Sequence, residues 1–444
     1  NKNRLNNERN DSKIKHMKIG GAFMKIETKC LHAGYEPKNG EPRVLPIYQS
    51  TTYKYDSTDF VGQLFDLTAE GHMYSRISNP TVDAVEKKIA ALEGGIGALC
   101  TTSGQSASFI ALMNLLESGD HVISSSTIYG GTVNLFAITL KKFGIEVTFV
   151  DPDAQPAEIE AAFRPNTKAV FGEIMANPAM NVLDIEKFAK LAHAHDVPLL
   201  IDNTFATPIL CRPFAWGADI VIHSTTKYMD GHALQVGGVI VDSGNFPWDN
   251  GKFPGLSTPD ESYHGIVYTE SFGKAAYITK ARVQLMRDLG CYPAAHSAFL
   301  LNLGLETLAL RMERHCANAQ KVAAYLESQE AVEFVNYPGL KSSKYYTLAQ
   351  KYLPNGCCGV ISFSIKGGRE RAAAFIDHLQ LASLEVHVAD IRTCVLHPAS
   401  STHRQLSDEQ LVNCGITPGL IRLSCGIENV EDILDDLKQA FAQI

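Results

Sequence analysis

Residues 220–227, Ile220-Val221-Ile222-His223-Ser224-Thr225-Thr226-Lys227, pass without a break from an apolar run to hydroxyl groups and a lysine. A short apolar run with no polar alternation fits a strand covered on both faces, as in a parallel sheet flanked by helices. Working outward, similar runs stand at Pro198–Ile201, Ala169–Phe171, Val147–Val150, His121–Ser124, Ala98–Cys100 and Gly238–Val241. Helical stretches separate them, so the pattern predicts one large α/β layer with a mostly parallel, seven-stranded sheet.

The flanking regions read differently. Residues 1–24 are rich in Asn, Lys and Arg and have no apolar centre, so they are expected to be a disordered leader and not a secretory signal. Residues 25–65 hold few periodic segments but carry Tyr48, Tyr53, Tyr55 and Phe60, and read as an extended N-terminal arm lying on its own body or on a neighbour. The large domain is placed at 66–305. Within it Ala84–Leu92 reads as a helix ended by Gly94-Gly95, and Asn245–His264 as a loop insertion. Residues 306–444 read as a smaller α+β domain with strands Val360–Ile365 and Leu420–Ser424. A closing helix there buries Val430, Ile433, Leu434, Leu437 and Phe441, and one long helical region, about 295–326, leads into the domain.

Composition narrows the function. The chain has 444 residues, 45% of them hydrophobic and 20% charged, which excludes a disordered or collagen-like protein. A net charge of −8 argues against nucleic-acid binding. No apolar run is long enough for a transmembrane helix. The ten cysteines include no CxxC pair and there is no HExxH, so neither a disulfide framework nor a metal site is expected. A cytoplasmic protein is the expectation.

In an open α/β sheet, functional groups collect beyond the carboxyl ends of the strands. Lys227, past the strand Ile220–Ile222, reads as a Schiff-base lysine or as a surface residue of a βα turn. Asp202 suits either a cofactor's ring nitrogen or a turn cap. Ser103-Gly104-Gln105 opens a helix over Ser106–Leu116 and offers backbone amides to an anion, or is a plain glycine turn. Tyr129 either stacks on an aromatic ring or is an ordinary buried tyrosine. Arg422, inside the apolar Leu420–Ser424, needs an anion: a substrate carboxylate or an internal salt bridge. In chain order the set is a phosphate cradle, a stacking tyrosine, an acid, a lysine and an arginine. That combination describes a pyridoxal 5'-phosphate (PLP) site.

The sequence resembles the Cys/Met-metabolism PLP enzymes of fold type I from about Lys25 to Ile444. The motifs that carry the resemblance are Tyr74-Ser75-Arg76 before Asn79-Pro80-Thr81, Ser103-Gly104, Tyr129-Gly130, Glu173 with Asn177-Pro178, Asp202-Asn203-Thr204, Ser224-x-Thr226-Lys227, and Arg422-Leu423-Ser424 with Gly426-Ile427-Glu428. The resemblance implies a Schiff-base lysine at Lys227 and phosphate contacts from Ser224, Thr226, Gly104 and Gln105. It also implies that Tyr74 and Arg76 serve a neighbouring subunit's phosphate, in a homo-oligomer with shared sites, expected to be a tetramer.

Finer motifs, among them Tyr129-Gly130-Gly131-Thr132, Tyr263-His264-Gly265 and His397-Pro398-Ala399-Ser400, are similar to those of O-acetylhomoserine sulfhydrylases. Methionine γ-lyases typically have cysteine where Gly131 stands. A γ-lyase or a cystathionine γ-synthase type of reaction is the alternative. One departure stands out: Val386-His387-Val388-Ala389-Asp390 replaces an Asn-Val-Gly-Asp pattern, which places His387 near the substrate carboxylate together with Asn177 and Arg422.

Overall fold

The computed structural model describes residues 18–19, 22–402, 404, 407, 409 and 416–444. The expected leader lies mostly outside them. Its described part includes Lys18–Ile19 and Ala22–Phe23, which pair antiparallel.

Seven strands form the large sheet: β1 (Gly97–Thr101), β2 (His121–Ser125), β3 (Glu146–Val150), β4 (Thr167–Glu173), β5 (Leu199–Asp202), β6 (Ile220–His223) and β7 (Gly238–Asp242). Their spatial order is β1-β7-β6-β5-β4-β2-β3. Strand β7 pairs antiparallel with both neighbours, and the remaining pairs are parallel. The expected mostly parallel, seven-stranded layer is therefore present. Val221, Ile222, Leu199 and Leu200 are completely buried, as unalternating apolar strands between two helical layers must be. The helix Pro80–Glu93 covers β1. Asn79 caps its start through the Thr81 N–H, Pro80 occupies its first turn, and Gly94 ends it in the left-handed region at φ 85°.

A second sheet of five strands follows: β8 (Val332–Asn336), β9 (Val360–Ile365), β10 (Ser383–Leu384), β11 (Cys394–Leu396) and β12 (Leu420–Ser424), ordered β8-β9-β12-β11-β10. Only β9 and β12 stand out in the sequence. They are the completely buried centre, whereas β8 is only partly covered and β10 is a two-residue edge with both residues exposed.

Three further differences have physical causes. The arm is not extended throughout: Ile26–His32 and Thr58–Phe65 are helices, the second started by Ser57 accepting from the Phe60 N–H at 3.2 Å. The loop insertion contains a short helix at Pro254–Ser257 and buries Phe246, Trp248 and Phe253, with Trp248 stacked on Tyr277. The long helical region is two helices, Ala295–Glu306 and Leu308–Glu327, joined at Thr307.

That junction steadies the segment after Lys227. A Cβ on Gly304 would lie 2.5 Å from the carbonyl oxygens of Met229 and Asp230, so only glycine lets the helix approach. Buried Arg311 then donates to the carbonyls of Tyr228 (2.7 Å) and Gly304 (2.6 Å) and to the Thr307 hydroxyl (3.0 Å). Replacing Arg311 by Met keeps the bulk and strands those acceptors. Stability in urea should fall by about 2–4 kcal/mol. A loss below about 0.5 kcal/mol would show that Arg311 does not secure this segment.

Candidate active site

Because β7 alone runs against the others, the carboxyl ends of six strands and the start of β7 meet at one edge of the sheet. Lys227 lies there in the turn after β6, its N–H donating to Ser224 O at 3.3 Å. Burial first, and then the nearby Arg422 charge, pull its amine down to about 8. Its Nζ lies 3.5 Å from His387 Nδ1. The surface-lysine alternative does not describe this half-buried side chain.

The helix Gly104–Met113 points its N-terminus at the same spot. The Ser103 hydroxyl is engaged in a capping box with Ser106, so this residue contributes shape and not a free hydroxyl. The Gly104 and Gln105 amides have no hydrogen-bond partner among the described residues. A Cβ on Gly104 would lie 2.7 Å from the Ser224 Cβ, so the glycine lets the Ser224 hydroxyl stand against the helix terminus. The helix amides and that hydroxyl form an anion cradle. The Thr226 hydroxyl exchanges hydrogen bonds with the Gly237 N–H (3.0 Å) and carbonyl (3.2 Å).

Tyr129 is 49% exposed, which sets aside the buried-tyrosine alternative. Its ring leans over Gly131, where a Cβ would come within 2.5 Å of a ring carbon and 3.2 Å of the Gln105 amide nitrogen. The absent side chain at Gly131 thus leaves room for the ring in this position. The Tyr129 N–H donates to Glu173 Oε2 at 2.6 Å. Glu173 and Asp202 are register partners at the ends of β4 and β5. Burial, then the charge of Asp202, pushes Glu173 well above the usual carboxylate range.

Asp202 fills the turn-cap role its sequence suggested. Its Oδ1 accepts from the Thr204 N–H (3.0 Å) and hydroxyl (2.5 Å), a local turn cap, and no such bond is made by Oδ2. Burial raises its pKa, opposed by the Thr204 hydrogen bonds and by the charge of His223.

Arg422 has no carboxylate within ion-pair distance among the described residues, so the internal salt bridge is not what buries it. Its Nη2 donates to the carbonyls of Val386 and His387, each at 3.0 Å, which leaves Nε and Nη1 for another acceptor. Asn177 begins the cis bond to Pro178 in the segment after β4. Tyr74 and Arg76 are exposed and face each other, with the guanidinium 5.3 Å from the ring centre, and neither hydrogen-bonds to the Lys227 cluster. Thr204, named in the Asp202-Asn203-Thr204 motif but given no site role there, ties Asp202 to the Ser224 N–H (2.9 Å).

An amine of lowered pKa, an anion cradle, an exposed aromatic ring and a buried acid at one sheet edge define an α/β enzyme site built for a phosphorylated aldehyde. A family profile described as Cys/Met metabolism PLP-dependent enzyme matches residues 27–442, and the chain belongs to that family. It is 46% identical over 430 residues to the O-acetyl-L-homoserine sulfhydrylase of Leptospira meyeri, covering 95% of this chain and 97% of that one. It is 48% identical over 419 residues to the homocysteine synthase of Schizosaccharomyces pombe, covering 94% and 97%. A crystal structure of a putative O-acetylhomoserine (thiol)-lyase from Campylobacter jejuni, 40% identical, superposes with a TM-score of 0.90 over 94% of this chain and 100% of that one. It carries N'-pyridoxyl-lysine-5'-monophosphate. PLP is accordingly the cofactor, and the Gly104–Ser224 cradle with Lys227 fits it.

The amine of Lys227 in cofactor-free protein should therefore react as a base of pKa about 8. Below that value its borohydride-reducible adduct with an aldehyde should form about tenfold more slowly per pH unit, and above it the rate should level off. Peptide mapping identifies the residue. A rate still climbing at pH 10 would show an ordinary exposed lysine.

Proposed function

We propose that the protein catalyses a γ-replacement on O-acetyl-L-homoserine, in which acetate leaves and sulfide or methanethiol enters, giving homocysteine or methionine. The observation that carries the reading is the joint placement of Lys227 and Arg422 on one residue: the amine faces the His387 ring and the guanidinium its carbonyl. A base and a carboxylate anchor so close suit the Cα–H and carboxylate of an amino acid. The names of the relatives supply the ester and the nucleophile.

Bound PLP supplies the electron sink that makes the Cα proton removable. In this assignment Gly104, Gln105 and Ser224 hold its phosphate, joined by Thr226 when its hydroxyl proton turns from Gly237 O to the phosphate, with Ser103 shaping the turn, and Asp202 pairs with its ring nitrogen. Glu173 fixes the backbone of Tyr129, whose ring lies over the cofactor plane. The Lys227 amine takes the Cα proton and carries protons at Cβ, and its lowered pKa keeps a useful share of it unprotonated near neutrality. Arg422 and Asn177 orient the substrate carboxylate, and His387 closes that side.

Tyr74 and Arg76 complete the phosphate site of a neighbouring copy in a homo-oligomer, a tetramer in this reading, located in the cytoplasm. The shared site is supported by the exposure of both side chains and by the lack of a hydrogen bond from either to the Lys227 cluster among the described residues. Among the described residues no helix is long and apolar enough to cross a membrane.

Two measurements test the proposal. With O-acetylhomoserine and sulfide, the product should be homocysteine with stoichiometric acetate. Methionine alone should give little α-ketobutyrate, and the opposite outcome would assign a γ-lyase. Separately, inactive Arg76→Ala and Lys227→Ala chains, mixed and reassembled, should regain measurable activity, since one hybrid site is intact. A confirmed hybrid with no activity would place Tyr74 and Arg76 outside the site.

A further inference from the structure

Beneath Asp202 lies a set of polar groups that the chemistry above does not use. His223 ends β6 beside Asp202 at the end of β5 and is completely buried. Its Nε2 stands 3.6 Å from Oε1 of Glu93, the last residue of the helix Pro80–Glu93 and 1% exposed. Asn203, turned inward next to Asp202, donates to the same Glu93 oxygen at 3.0 Å and to Cys211 O at 2.9 Å. Both His223 ring nitrogens, Glu93 Oε2 and Asn203 Oδ1 are buried without a hydrogen-bond partner among the described residues.

A carboxylate enclosed this deeply is retained only when a cation or several donors face it. His223 is the one group able to carry positive charge within ion-pair distance of Glu93 among the described residues. On the other side the same imidazole acts on Asp202, where its charge favours the ionised carboxylate against burial. The other titratable or charged groups around this cluster are Glu173, which burial and the charge of Asp202 push up, the Cys211 thiol, which burial and then Glu93 push up, and Arg212, whose charge opposes that rise at Cys211 but which makes no ion pair with Glu93 among the described residues. The cluster thus runs from the Glu93 carboxyl group through the His223 ring to Asp202, whose ionised form His223 favours.

We propose that Glu93 and His223 are positioning residues that hold Asp202 ionised, so that the proton it shares with the cofactor's ring nitrogen stays on the nitrogen. The inference rests on the assignment of Asp202 to that nitrogen. The balance is simple. Without the favourable His223 charge the carboxylate becomes a stronger proton acceptor, the ring N–H bond breaks, an O–H bond forms on Asp202, and a neutral pyridine faces a neutral acid. A neutral ring is a poorer electron sink, so the device acts on the cofactor's electronics without touching it.

The test uses holoenzyme reconstituted with PLP labelled with 15N at the ring nitrogen. In the wild type the resonance should sit at the protonated-pyridinium position across the neutral range. In Glu93→Gln, which keeps the shape and the Asn203 hydrogen bond, and in His223→Gln, it should move toward the neutral-pyridine position. An opposite charge within about 4–6 Å shifts a carboxylate by roughly 1–3 pH units, enough to move most of the proton population. Cofactor content and melting temperature are measured alongside, and if His223→Gln fails to fold the Glu93→Gln result decides. A wild-type ring that is already neutral would overturn the Asp202 assignment. A protonated wild-type ring with an unmoved resonance in a folded, fully loaded Glu93→Gln would overturn the Glu93–His223 proposal and leave the assignment standing.

Discussion

The parallel run of six strands is the constraint on which the other features of this protein depend. Parallel strands send their following loops out at one edge, so Ser103-Gly104, Tyr129, Asn177, Asp202 and Lys227 arrive together although each belongs to a different βα unit. Strand β7 runs the other way, and this brings its leading Gly237 to the same edge, where it holds the Thr226 hydroxyl. A sheet with alternating directions would have divided these groups between two ends.

Burial then gives each group its chemistry. The same desolvation lowers Lys227 and raises Asp202 and Glu173, because it penalises whichever form is charged. The protein counters it selectively. Thr204 and His223 act on Asp202, while Glu173 faces the charge of Asp202 and is pushed up further. Two carboxyl groups at adjacent strand ends are thereby driven apart, which in the proposed reading suits an ionised Asp202 and a Glu173 that fixes a backbone amide.

The small domain contributes through backbone more than through side chains. Arg422 reaches out of the completely buried β12 and clasps the carbonyls of Val386 and His387, which sets the loop that carries the His387 ring to Lys227. The Ala389 N–H, at φ 67°, is held by the Ser424 hydroxyl at 2.9 Å, so the loop is tied to the same strand at a second point. Arg311 does the corresponding work on the segment after Lys227.

The sequence alone determined the layer, the strand positions and the chemical character of the strand ends, because apolar runs of this length can be satisfied only by double-sided burial. It determined β9 and β12 to their terminal residues for the same reason. It was silent on β10 and on the helix Thr58–Phe65: a two-residue edge and one short helix in an aromatic arm carry too little periodicity to register. Tertiary structure alone decided which groups meet. Glu93 and Asn203 lie 110 residues apart, and nothing local in a helix's final glutamate announces a buried partner under a distant strand end. The same holds for His387 against Lys227, separated by 160 residues. Local pattern fixes what each segment buries, but contact between segments follows from how the sheet, helices and second domain close over one another.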